Sequence, residues 1–63
     1  MLLKRDSAVS GVFHYLTESG RIVANAWMRL DGGFLVMAMD GTAIRVSSES
    51  EADRIALRFS FAL

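Results

Sequence analysis

The sequence predicts an all-β domain, a five-stranded antiparallel meander or small barrel with a short helical turn before the last strand. Turn signals recur at Thr17-Glu18-Ser19-Gly20, Asp31-Gly32-Gly33 and Asp40-Gly41, where glycine supplies the positive φ that hairpin turns require. Their spacing of twelve and then nine residues is the rhythm of a meander. Two stretches also alternate apolar and polar residues with period two, as half-buried strands do.

Taken in order, the first strand is expected near residues 9–16, ending at the Thr17–Gly20 turn. The second, near 21–30, places Ile22, Ala24, Ala26, Met28 and Leu30 on one face and Arg21, Val23, Asn25, Trp27 and Arg29 on the other. The third, near 34–39, is the apolar run Phe34 to Met39, and the fourth, near 42–47, follows the Asp40-Gly41 turn. Ser48 to Asp53 reads as a polar helical turn. The fifth strand, near 54–63, sets Ile55, Leu57, Phe59, Phe61 and Leu63 against Arg54, Ala56, Arg58, Ser60 and Ala62. This order is similar in topology to an SH3-like barrel; the likeness is an analogy of element order and carries no function.

Two segments also fit helices. Arg21, Asn25 and Arg29 are four apart and would form a polar helix stripe ended by Gly32. Ser50 and Asp53 are spaced roughly like a capping box, with Ala52, Ile55, Ala56 and Phe59 on one face. With both segments helical, the alternative fold is α+β, a βαββα sandwich. Strands are preferred because Gly20 caps a helix poorly and the Phe-Ser-Phe run favours a strand.

Composition narrows the function. Sixty-three residues form one domain, 1–63, because a chain this short cannot be divided into two cores. No cysteine is present, which removes disulfides and thiolate metal sites, and a single histidine cannot hold a structural zinc. With 52% hydrophobic residues, self-association is the expected support for so small a fold. Seven basic residues balance seven acidic ones, so the global positive field of most small nucleic-acid binders is missing. Met1-Leu2-Leu3-Lys4-Arg5-Asp6 lacks the apolar core of a secretory signal, and the longest apolar run has six residues, so a cytoplasmic chain is expected.

Strand three is apolar on both faces, which calls for cover on two sides. Phe34, Leu35, Val36, Met37 and Met39 are therefore the expected oligomer interface. Trp27, flanked by Arg21, Asn25 and Arg29, combines residue types enriched at binding hot spots. With Arg45 and Arg58 these make the expected partner-binding set. Arg45, Arg54 and Arg58, with Lys4 and Arg5 ahead of the first strand, would suit single-stranded nucleic acid if they met Trp27 and Phe13 or Tyr15 on one sheet face. His14, between Phe13 and Tyr15, is expected to be hydrogen-bonded in or near the core. No nucleophile-elbow motif positions a serine, Glu49 to Asp53 lacks the calcium-loop pattern, and the glycines match no phosphate-binding loop. No catalytic, metal or cofactor site is expected.

The functional expectation is a small non-catalytic protein-binding module, homo-oligomeric, of the accessory or inhibitor type that phages and plasmids often encode. The alternative is a small-barrel nucleic-acid-binding protein using an Arg/Trp face. An enzyme would require several subunits to build one site.

Overall fold

The computed structural model describes residues 2–61. The elements run β1 (Leu3–Asp6), β2 (Val12–Leu16), β3 (Ile22–Met28), β4 (Phe34–Ala38), β5 (Ala43–Val46) and α1 (Glu49–Phe61). Each strand pairs antiparallel with its neighbour in the chain, giving one sheet in the order β1-β2-β3-β4-β5. The meander is as expected, but β1 and β5 lie at opposite edges, so the sheet stays open and does not close into a barrel.

The glycine turns connect the strands as the sequence requires. Asp31 and Asp40 each accept a hydrogen bond from the backbone two residues on, Gly33 N–H at 3.0 Å and Thr42 N–H at 2.9 Å; these contacts hold both carboxyls below their ordinary range. Gly41 takes φ 94°, a conformation that favours glycine. Gly33 is constrained differently: a Cβ there would stand 2.5 Å from the Val46 carbonyl oxygen, so the turn entering β4 passes this close to the end of β5 only because the side chain is missing.

Three expectations are corrected. Leu3–Asp6 is an additional strand, and the predicted strand 9–16 begins at Val12, because Ser7 to Gly11 form a loop in which the Ser7 hydroxyl accepts from the Val9 N–H at 3.0 Å. Segment 21–30 is a strand, so the βαββα alternative fails there. Segment 54–63 is not a strand: residues 54–61 continue the helix that begins at Glu49, while Ala62 and Leu63 lie outside the described residues. The Ser48 hydroxyl accepts from the Glu51 N–H at 3.3 Å, and the Glu51 carboxylate accepts from the Ser47 hydroxyl at 2.8 Å. This is a helix cap two residues before the Ser50/Asp53 pair suggested by spacing.

The helix covers one face of the sheet. That face carries Phe13, Tyr15, Ala24, Ala26, Phe34, Val36 and Val46, against which Ala52, Ala56, Ile55 and Phe59 pack. Ala24 and Ala26 on the sheet and Ala52 and Ala56 on the helix are all fully buried in this core. A bulge between Tyr15 and Leu16 leaves Val23 unpaired in register, and Val23 joins the core beside Ala24. Phe34 and Val36, expected at an oligomer interface, are covered by the chain's own helix; the second covering layer for half of strand 34–39 is intramolecular.

Val36→Asp, which places a carboxylate under α1, is expected to abolish the cooperative urea transition followed by far-UV circular dichroism. Ala56→Leu should keep the transition but lower stability by about 1–3 kcal/mol through overpacking.

Candidate functional site

The opposite face of the sheet has no covering layer among the described residues. Strand alternation and register arrange its side chains in rows. One row runs Arg5, His14, Asn25, Met37, Ala43 from β1 to β5, and the next runs Val12, Trp27, Leu35, Arg45 from β2 to β5. Leu3, paired with Leu16, extends the apolar surface at one end. Val12, Leu35 and Met37 are half-buried, and Trp27 and Leu3 retain 46% and 49% of their exposure.

The chemistry of this face is one-sided. Its strand positions carry no carboxylate, while Arg5 and Arg45 stand on the two edge strands, about 19 Å apart by strand spacing. Neither arginine makes an ion pair among the described residues. In the middle, His14 Nδ1 is hydrogen-bonded to the carbonyl Oδ1 of Asn25, its direct cross-strand partner. His14 is thus satisfied by a partner, as expected, but on the uncovered face and away from the helix-side core. Past the end of β3, a shallow groove beside Trp27 is lined by Met28, Arg29, Leu30, Asp31 and Leu35.

Of the expected partner-binding residues, Asn25, Trp27 and Arg45 come together on this face. Trp27 is exposed and does not complete the core. Arg21 lies at the β2–β3 turn, outside the strand. Arg29 follows β3 and is drawn to Asp31, Nε to Oδ2 3.4 Å. Arg58 is on α1, in the other layer, so it cannot join the set; the strand that would have carried it there is a helix. Of the expected interface residues, Leu35 and Met37 point to the open face and Met39 is exposed in the β4–β5 turn at 59%. Lys4 and Arg5, read as basic residues ahead of the first strand, are divided by the alternation Leu3-Lys4-Arg5-Asp6, which sends Arg5 to this face and Lys4 to the other. Sequence reasoning missed Val12 as a member of this face.

A second group of titratable side chains joins β1, β2 and α1. The Lys4 ammonium donates to Glu49 at 2.6 Å and Asp53 at 3.1 Å, lies 5.7 Å from the Phe13 ring centre, and is held above its usual pKa chiefly by the Glu49 contact. The Tyr15 hydroxyl, on a residue only 2% exposed, donates to Asp53 at 2.7 Å. Burial first, and the Asp53 hydrogen bond second, raise its pKa well above the ordinary phenol value of 10.0. Each group has a partner within the cluster, which clamps the helix to the strands it covers least.

Comparisons with protein-family models, with curated proteins and with solved structures returned no match.

The clamp has a pH signature. Tyr15 and Lys4 hold their protons more tightly folded than unfolded, so their contribution is complete below about pH 10 and is lost at higher pH, where the unfolded chain releases protons that the folded one keeps. Urea unfolding at pH 8 and pH 11 should show a loss of stability in the parent that is smaller in Tyr15→Phe. An equal loss in both would remove Tyr15 from the clamp.

Proposed function

We propose that the chain is a small non-catalytic protein-binding module that acts through the open face of its sheet. One observation carries the reading: an apolar sheet face centred on Trp27, Leu35 and Met37, uncovered by the chain's own layers. Soluble proteins seldom leave a contiguous apolar surface of this kind without a partner, and tryptophan and arginine on its surface are the residue types that anchor protein interfaces. The accessory or inhibitor role, and a cytoplasmic setting, follow as part of this reading; no helix among the described residues is long and apolar enough to cross a membrane.

A nucleic-acid reading has its own supporting observation, Arg5 and Arg45 on either side of Trp27, neither in an ion pair among the described residues, on a face whose strand positions carry no acid. It requires oligonucleotide affinity that falls steeply with salt and a base stacked on Trp27. The balanced net charge and the half-buried aliphatic side chains between the arginines favour protein.

A photoreactive crosslinker placed at Leu35 is expected to capture protein, either another copy or a different chain, and one placed at Arg54 on the helix layer to capture none. Failure at Leu35 to capture any protein, together with salt-sensitive binding of short single-stranded oligonucleotides that Trp27→Ala reduces tenfold or more, would replace the protein reading with the nucleic-acid one.

A further inference from the structure

We infer that the open face is covered by a second copy of this chain, packed face to face with its strands crossed, to make a four-layer helix–sheet–sheet–helix dimer. This inference rests on the reading of the face as a protein interface and names its occupant.

The first argument is area. The molecule measures 32 × 23 × 20 Å, and its sheet, five strands wide, presents a flat outline on the order of 600 Å². A surface roughened by Trp27, Met37 and Leu35 exceeds its outline, which brings the face close to the roughly 800 Å² per partner that a standard stable interface buries. A short peptide would cover only part of it. A second copy covers all of it, with an apolar surface of the same size and kind.

The second argument is charge. On this face the cations mark the sides, Arg5 on β1 and Arg45 on β5. The turns at the ends carry both signs: Glu18 and Asp40 with Arg21 at one end, and Asp31, already paired with Arg29, at the other. Strands aligned between two copies would set arginine edge against arginine edge. Sheets packed near 90° instead lay the edge strands of one copy over the turns of the other. A two-fold axis in the interface plane makes the exchange reciprocal, so one arginine edge of each copy lies over the other's Glu18–Asp40 end, where two carboxylates stand beside the single Arg21. The same axis passes near the middle of β3, where Asn25 of one copy approaches Asn25 of the other.

The chain contains no cysteine, which allows a direct test. Light scattering across a concentration range is expected to give twice the chain mass for the parent. Met37→Glu, which puts a charge on the outward face, should give the monomer mass with an unchanged far-UV spectrum. Mild oxidation should convert Asn25→Cys to a covalent dimer and leave Leu57→Cys, on the helix layer, unlinked. Should Met37→Glu fail to fold, the two cysteine variants decide the matter. A parent that is monomeric throughout, or a dimer crosslinked through position 57 and not 25, overturns the inference. A monomeric parent whose Leu35 crosslinker still captures another protein overturns only the second-copy occupant. A monomer that captures nothing overturns the underlying reading as well.

Discussion

The structure depends on a contact made by the smallest side chains in its core. Ala24 and Ala26 on the sheet and Ala52 and Ala56 on the helix are fully buried in one cluster, and side chains this small let α1 settle close to the sheet. The larger residues, Phe13, Phe34, Ile55 and Phe59, surround this close approach and fill the space where helix and twisted sheet diverge. A helix seated at the centre serves β3 and β4 best. β1 and β2 then need another attachment, which Lys4 and Tyr15 provide through Glu49 and Asp53.

One helix can cover one face. Five strands and the thirteen-residue helix form two layers, and none of the described residues makes a third over Trp27, Leu35 and Met37. Small domains bury a limited fraction of their surface, and the shortfall here is gathered in one place instead of being scattered over the molecule. That concentration is what makes the face a candidate for recognition.

The strands from Val12 to Val46 were legible because alternation and glycine turns agreed on the same boundaries. The helix was not, because Leu57 and Phe61 are apolar yet exposed, at 42% and 80%; they completed a period-two pattern that the buried set Ala52, Ile55, Ala56 and Phe59 contradicted. The decisive local signal was Ser48 with Glu51, a cap one turn upstream of where the apolar pattern drew attention. The two-sided run Phe34 to Met39 was read as needing two covers, and the structure shows one of them. What the residues alone did not reveal is that one cover is α1, which divides the run into Phe34 and Val36 inside and Leu35 and Met37 outside. Trp27 and Arg45 were legible as a pair, since their strands neighbour β4 on either side. Arg58 was lost with the strand that was to carry it, and Arg5 was legible as a basic residue but not as a member of this face, because β1 is too short and too charged to register.

The strict chain-order pairing of the strands also bears on how the molecule assembles. Every hairpin joins consecutive segments, so strand pairing closes only short loops and favours rapid folding. During synthesis, however, β1 to β5 precede the helix that shields Ala24, Ala26 and Val36. Until α1 has been made and has docked, the sheet presents two apolar faces to its surroundings. Vulnerability to misassembly is thus greatest in the interval between completion of the sheet and emergence of the helix.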